Sequence, residues 1–398
     1  MGALDGIKVI DCSILVQGPQ AAAFLHDLGA EVVKVELPGL GDLARWITIA
    51  PDDPRAPYYE ACNRGKKGVS LDLRTAGGRR AMLKLCESAD VLITNFAPGT
   101  LEKWNLGYDV IAAVNPRLIF ATGSILGTEG PGPAAGREGA DLFGQAFGGL
   151  IHATGVDGGE ITTIPVTIAD HCASQNMTVG ILAALWARER TGRGQRVDVS
   201  LTGGQVWAQA SELTHHLLSG RSHPRANYGH PLIPGLYGIF ASADGWVAVV
   251  GVPPHLWQGF CRALDREDLL ADARFGTLFL TPDDLAALKV IVAEVFRTRT
   301  TAEWTERMNA EGQRFAPVND YAGLAADPHP YLNGYLVEAE HPEWGPTRIV
   351  GSPIRLSDTP ATPGLVAPKL GEHTEEVLLA AGFTPEELEQ LKADGAYF

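Results

Sequence analysis

The sequence predicts an α/β protein: a large domain built on parallel strands, followed by a smaller α+β domain. Three observations point there. Between residues 7 and about 122, short β-branched runs alternate with helical stretches, which implies crossovers joining parallel strands that are covered on both faces. The segment 219–234 is rich in Gly, Pro, His and Asn and reads as a loop or linker. After it the style changes, and 237–252 (YGIFASADGWVAVVGV) alternates around Ala243-Asp244-Gly245 as a β-hairpin does.

Each element has its own signal. IKVIDC at 7–12 reads as a buried strand, and PQAAAFLHDL at 19–28 as a helix with Pro at its start. Gly29 ends that helix, and EVVKVE at 31–36 is the second strand. The pattern repeats as strand 69–73, helix 77–88 and strand 91–94, then helix 108–114 and strand 118–122. A β-branched run at 164–169 (IPVTIA) precedes a helix from Asp170 to about Arg190, which Gly192 and Gly194 break. QRVDVSL at 195–201 is the next strand, and a long helix over 203–218 follows. Beyond the hairpin, helical patterns fall at about 255–264, 284–297 and 301–311. A strand pair lies within 334–354, and two short helices within 373–394 flank Gly382-Phe383-Thr384. The expected organisation is a large Rossmann-like domain over 1–221, a small α+β domain over 222–330, and a return over 331–398 that completes the first.

Composition narrows the function. The chain has 398 residues, 45% hydrophobic and 20% charged, enough for one large or two medium cores. A formal net charge of −15 disfavours nucleic acid and anionic membrane, so a small-molecule partner is expected. Cys12, Cys62, Cys86, Cys172 and Cys261 stand far apart with no Cys-x-x-Cys pair; reduced thiols in a cytoplasmic protein fit better than a disulfide framework or a zinc site. There is no secretory pattern at the N-terminus and no apolar run of bilayer length.

Several nucleophile and phosphate motifs are missing. There is no G-x-x-x-x-G-K-[ST]; the first strand is followed by SILVQGPQ rather than G-x-G-x-x-G; Gly123-Ser124-Ile125-Leu126-Gly127 lacks the G-x-S-x-G spacing. The eleven His are dispersed, which argues against a metal site. Basic residues do cluster: Arg64, Lys66, Lys67, Arg74, Arg79 and Arg80, with Lys103 and Arg137 as candidates to join them. A charge run is more often a solvated face; the alternative is an anion site for a phosphorylated cofactor. Asp170 and Asp141 each precede a helical pattern, where Asp is a preferred N-cap worth about 1 kcal/mol.

Nearly the whole chain resembles CoA-transferase family III, the CaiB/BaiF family of formyl-CoA and carnitine CoA-transferases, related to the α-methylacyl-CoA racemases. The resemblance runs through 6-GIKVIDCS-13, 27-DLGAEVVKVELPGLGD-42, 63-NRGKKGVSLDL-73, 90-DVLITNFAPGTLEKWNLGY-108 and 114-VNPRLIFATGS-124. It continues through 179-VGILAALWARERTGRGQRVDVSL-201, 315-FAPVND-320 and 370-LGEHTEEVL-378. It implies an intertwined homodimer, CoA and acyl-CoA as substrates rather than permanently bound cofactors, and no metal. It places the catalytic aspartate at Asp170 and a second acidic position at Asp141. The implied CoA-contacting positions are Val16, Leu71, Arg74, Asn95, Phe96, Lys103, Trp104 and Arg137. Gln17, Trp46, Tyr59 and Tyr237 are substrate-pocket candidates, with His230 and Leu232 beside them.

A carboxylate suits the implied chemistry. Asp170 would attack a donor thioester to give a mixed anhydride and CoA thiolate; the thiolate would attack the aspartyl side, releasing the donor acid and leaving an aspartyl-CoA thioester. An acceptor acid would then reverse the steps. Helix N-terminal amides near Asp170 are candidates to stabilise the carboxylate and the oxyanions. The racemases carry a His immediately before the Asp141 position; here it is Ala140, which cannot move a proton. The functional Gln of formyl-CoA transferases aligns with Val16, with Gln17 one position later. The family stretch S-G-F-G-x-x-G-P appears as 124-SILGTEGP-131, without its first Gly and its aromatic, and the glycine-rich loop of formyl-CoA transferases is absent as a run, 228-YGHPLIPGLYG-238 having only spaced glycines. These departures weigh against formate or oxalate and toward a larger or more apolar acid.

Overall fold

A computed structural model describes residues 1–130, 139–226, 229–233, 235–275 and 280–397. The chain divides into two compact units. One comprises Met1–Leu150, Thr163–Gln209 and Pro328–Phe398; the other comprises Ile151–Thr162 and Ala210–Asp327.

The first unit is built on six parallel strands: β1 (Lys8–Asp11), β2 (Glu31–Glu36), β3 (Lys67–Ser70), β4 (Val91–Thr94), β5 (Ile119–Ser124) and β6 (Arg196–Ser200), in the order β3-β2-β1-β4-β5-β6. Its helices include α1 (Gln17–Asp27), α2 (Pro57–Asn63), α3 (Ala76–Cys86), α4 (Thr100–Lys103), α5 (Tyr108–Val114), α6 (Asp141–Phe147), α8 (Ile168–Thr191) and α9 (Leu201–Ala208); the short α7 (Leu150–Ala153) begins on the last residue of the stretch Met1–Leu150 and continues into the other unit. The inner strands β4 and β5 are buried on both faces, as a covered parallel sheet demands, while β6 at the edge is half-exposed. Val9, Val91, Ile93, Ile119 and Ala121 pack with Ala21 and Leu25 of α1 and Met177 and Ile181 of α8. Ile10, Cys12, Leu92 and Phe120 pack on the opposite face with Met82, Leu85 and the C-terminal Leu378 and Leu391. A hairpin of β10 (Leu336–His341) and β11 (Gly345–Val350) belongs to the same unit. In the other unit, β7 (Tyr237–Ala241), β8 (Trp246–Val250) and β9 (Phe315–Pro317) form an antiparallel sheet over a core of Phe240, Val247, Phe260, Phe296 and Trp304. Among the described residues no helix is long and apolar enough to cross a membrane.

Most of the expected elements are present within a few residues; the differences have local causes. The run 164–169 is not a strand. The Gln145 amide donates to the Ile164 and Val166 carbonyls (both 3.1 Å), and Ile168 already opens α8. The helix expected over 203–218 is interrupted at Gln209, whose side chain donates to the Gly148 carbonyl (2.9 Å). β9 was not expected from sequence because Pro317 breaks the alternation; as the last residue of an edge strand it is tolerated.

Candidate active site

In a sheet of this order the chain leaves β1 in both directions, so a crevice opens beyond the carboxyl ends of β1 and β4. The loop after β1 is held there by side chains from two sides. Asn95, just past β4, accepts from the Ile14 N–H through Oδ1 and donates to the Ile14 carbonyl through Nδ2, both at 2.8 Å. Leu15 adopts φ +65°, a left-handed conformation that costs a non-glycine residue roughly 1–2 kcal/mol. Its N–H donates to Asp42 Oδ1 at 2.8 Å, and Asp42 also caps the 3-10 helix Leu43–Trp46 through the Ala44 N–H (2.9 Å).

Beneath this loop lies a fully buried charge network. Lys34 Nζ contacts Asp42 Oδ2 at 2.8 Å and Asp11 Oδ2 at 3.7 Å; Lys66 Nζ contacts Asp11 Oδ2 at 2.7 Å, the Pro19 carbonyl at 2.8 Å and Asn63 Oδ1 at 2.9 Å. Burial alone would push the Asp11 carboxyl up, but Lys34 and Lys66 hold it below the ordinary carboxylate value. The loop is thus pinned by paired charges rather than by apolar packing alone.

A cavity of about 240 Å³ opens against this loop, lined by Ile14, Leu37, Leu40, Leu71, Arg74, Phe96 and Trp104 among others. Its wall is mostly apolar. Phe96 and Trp104 meet edge to face at 5.6 Å. Arg74 stands at the rim, held bidentately by Asp72 (2.8 and 2.7 Å) and otherwise exposed.

The second feature is the first turn of α8. Thr167 is its N-cap residue but makes no side-chain cap bond. Asp141 supplies the cap from another helix: its Oδ1 accepts from the N–H of Ala169 (2.7 Å) and of Asp170 (3.2 Å). Asp170 is therefore the third residue of the helix, not its N-cap, and Asp141 opens α6 behind the N-cap residue Ala140. Both carboxylates were expected as caps of their own helices; only Asp141 caps, and it caps the neighbour. The amides of Ala169 and Asp170, expected to face a reaction intermediate, are instead occupied by Asp141. The Asp170 carboxyl is half-buried, and among the described residues no side chain bonds to it. Burial, then the Asp141 charge, pushes it up to about 7. Next to it His171 bridges to α1, with Nδ1 2.6 Å from Gln20 Oε1 and Nε2 3.2 Å from Thr167 Oγ1; burial holds its imidazole below the usual value.

This site geometry, a lone raised carboxyl in a helix first turn and an apolar cavity at the switch point, coincides with a family assignment. The CoA-transferase family III profile matches residues 4–374. The chain belongs to CoA-transferase family III. It is 35% identical over 398 residues to succinyl-CoA:mesaconate CoA-transferase of Haloarcula hispanica, covering 96% of this chain and 97% of that protein. It is 30% identical over 376 residues to succinyl-CoA:glutarate CoA-transferase of Homo sapiens, covering 94% and 85%. Among solved structures, a CaiB/BaiF family protein from Brucella suis superposes with a TM-score of 0.85 at 30% identity, covering 96% of this chain and 100% of that one.

In this family III protein the sequence-derived CoA positions fall into three groups. Leu71, Arg74, Phe96 and Trp104 line the one cavity, and Asn95 holds its Ile14 wall. Val16 is buried as the N-cap residue of α1, and Lys103 is exposed beside Trp104. Arg137 lies outside the described residues. Of the pocket candidates, Gln17 is buried and donates to the Ser124 carbonyl at 3.3 Å. Trp46 is exposed, its indole N–H bonded to the Leu40 carbonyl at 3.0 Å. Tyr59 is buried under the Arg45 guanidinium (3.7 Å from its ring), its hydroxyl bonded to the Pro368 carbonyl at 3.1 Å. Tyr237 opens β7 in the other unit, edge-on to His230 at 6.5 Å.

The basic cluster does not form one anion patch. Arg64 is buried against Asp27, Lys66 against Asp11, Lys67 pairs with Glu31 and Glu376, Arg74 with Asp72, and Arg80 with Glu387. Neighbours in sequence point into different layers of the fold. Asp42, Lys34 and Gln145 were missed; the i, i+4 spacing of Asp141 and Gln145 was the available signal for the last.

Proposed function

We propose that the protein moves CoA from an acyl-CoA thioester to a carboxylic acid, with Asp170 as the covalent nucleophile. The observation that carries this reading is the Asp170 carboxyl itself: half-buried, unpaired by any described side chain, and fixed in the first turn of α8. A carboxylate stripped of partners keeps its lone pairs for attack, and Asp141, by occupying the adjacent amides, keeps them from being neutralised by the helix end. Attack on the donor carbonyl breaks the C–S bond and gives an acyl-aspartyl anhydride and CoA thiolate. The thiolate attacks the aspartyl carbonyl, releasing the donor carboxylate and leaving the aspartyl thioester. An acceptor carboxylate displaces the thiolate to form a second anhydride, and the thiolate then attacks the acceptor acyl carbonyl, freeing Asp170. Each step exchanges one oxygen or sulfur leaving group for another, so no net proton is consumed.

The cavity lined by Leu71, Phe96 and Trp104, with Arg74 at its rim, supports a nucleotide-bearing ligand: an aromatic and aliphatic wall for a base and a cation for phosphate. The relatives' names point to short dicarboxylic acids as the acids exchanged. A homodimer is supported by apolar side chains left open on two helices that pack together, Val179 and Trp186 of α8 and Val206 and Trp207 of α9, from 44% to 75% exposed. Five free thiols, four of them buried, suit a reducing cytoplasm.

The deciding experiment incubates the protein with succinyl-CoA and a panel including mesaconate, glutarate, malate and oxalate, and reads the CoA products by mass spectrometry. New acyl-CoA formed by the wild type and lost in Asp170→Ala is expected. Transfer that persists in Asp170→Ala rules out this nucleophile, and α-hydrogen exchange without transfer places the protein among the isomerases.

A further inference from the structure

Gln145 sits on α6 one turn after Asp141 and is 1% exposed. All of its hydrogen-bonding capacity is used. Nε2 shares its two hydrogens among three acceptors, Asp141 Oδ2 at 2.6 Å and the Ile164 and Val166 carbonyls at 3.1 Å each. Oε1 accepts from Thr163 Oγ1 at 2.9 Å and from the Ile164 N–H at 3.2 Å. One side chain therefore ties two things together: the carboxylate that caps α8 and the irregular segment that feeds into α8. The remaining oxygen of Asp141 is the one on the Ala169 and Asp170 amides, so its orientation depends on where Gln145 holds its partner oxygen.

We propose that Gln145 is a positioning residue: it fixes Asp141 and the segment 163–166 as one rigid cap on α8, and through that cap sets where Asp170 stands. The proposal rests on reading Asp170 as the nucleophile, which Gln145 itself does not touch. A buried amide with five partners is costly to misplace, because each orphaned group loses solvation that nothing replaces. Among the described residues the cap has no second side-chain source, since the Thr167 hydroxyl meets His171 Nε2 (3.2 Å) and makes no cap bond. The cavity at the switch point shares no lining residue with this cap, so acyl-CoA binding should be insulated from it.

The test uses Gln145→Met, which keeps the length and loses every donor and acceptor, and Gln145→Asn, which keeps the amide but falls short of its partners. Transfer kinetics are measured alongside wild type, Asp141→Asn and Asp170→Ala. The expected result is a kcat lowered about 10²-fold with KM for acyl-CoA within about twofold of wild type, because a displacement near 1 Å at the nucleophile costs that much. The Asp141→Asn/Gln145→Met double variant is expected to be no more than about twofold slower than the slower single variant, since both act through one cap. Amide hydrogen exchange in the resting protein gives a reading independent of turnover: Ala169 and Asp170 should exchange at least about tenfold faster in Gln145→Met, with the amides of β1 and β4 unchanged as a fold control. Unchanged exchange at Ala169 and Asp170, a kcat within about threefold of wild type, or losses that multiply in the double variant each overturn the proposal. Transfer undiminished in Asp170→Ala overturns the nucleophile assignment instead, and the exchange result then still decides whether Gln145 holds the cap.

Discussion

Asp141 Oδ1 lies 3.2 Å from the backbone nitrogen of Asp170, so one carboxylate caps the turn that carries the other and pushes its proton affinity up. The two effects have opposite value for the proposed chemistry. The cap fixes geometry; the charge makes the nucleophile harder to ionise and, once ionised, more basic.

That relationship sets the pH dependence. In the proposed mechanism the reacting form of Asp170 is the anion, and burial and Asp141 raise its pKa to about 7, so kcat/KM for transfer should rise as pH increases through about 7 and level off above it. In Asp141→Asn the charge is gone while Asn can still accept from the two amides. The acid limb should move to lower pH, and it should do so alongside a lower kcat on the plateau because the Gln145 bond is compromised. A pH–rate profile of both proteins between pH 5 and 9 checks this; an acid limb that stays in place shows that Asp141 does not set it.

The same raised pKa has a cost in stability. A carboxyl that binds its proton more tightly in the folded state than in the unfolded chain loses stability as pH rises from its unfolded value, 3.8, to its folded one, about 7. Replacing it by a neutral amide should therefore stabilise the protein most at pH 8 and less at pH 5, where only the part of the loss that accrues between 3.8 and 5 is present. Thermal melts of Asp170→Asn are expected to gain about 2 °C or more at pH 8 over the wild type and less at pH 5. Equal shifts at both values would assign the gain to packing rather than charge.

Much of this arrangement was legible in the sequence because it repeats along the chain. IKVIDC, EVVKVE and DVLIT are short runs rich in β-branched residues, and β1, β2 and β4 fall within them. The approach to α8 was not legible. Ile164, Val166 and Ile168 have the composition of a strand, and only a long-range hydrogen-bonding partner, Gln145, turns their carbonyls away from a ladder. The basic run 64–67 misled for a related reason: Arg64 and Lys66 are buried ion pairs whose partners, Asp27 and Asp11, lie 37 and 55 residues away. Asp170 and Asp141 were singled out in sequence, but which of them caps α8 depended on a contact between α6 and α8 that no local pattern encodes.

The cavity wall makes a separable prediction. Phe96 and Trp104 pack on each other at 5.6 Å and against the core cluster on one sheet face, whereas Met177 and Ile181 of α8 pack on the other. Truncating either to Ala removes apolar wall from the ligand and should weaken CoA binding by roughly tenfold, in the range of a buried aromatic contact. Calorimetry with free CoA reads the affinity, and kinetics should show KM raised with kcat nearly preserved. A fall in kcat without a change in KM would place the ligand elsewhere.

The charge network beneath the loop gives the last prediction. Lys66 and Asp11 are both fully buried, and Lys66 Nζ is the nearer of the two cations on Asp11, at 2.7 Å against 3.7 Å for Lys34. Lys66→Met leaves the Asp11 carboxylate with its weaker partner, an uncompensated buried charge that costs about 3–5 kcal/mol. Neutralising the orphan should recover most of the loss, so Asp11→Asn added to Lys66→Met is expected to be more stable than Lys66→Met alone. Because the loop after β1 hangs on this network through Lys34 and Asp42, Lys66→Met should also raise KM for acyl-CoA while Asp11→Asn/Lys66→Met restores part of it. Urea titration and steady-state kinetics on the three proteins measure both. A double variant that is less stable than Lys66→Met would mean that Asp11 acts through its hydrogen bonds to the Ser13 backbone and hydroxyl rather than as the counter-charge to Lys66.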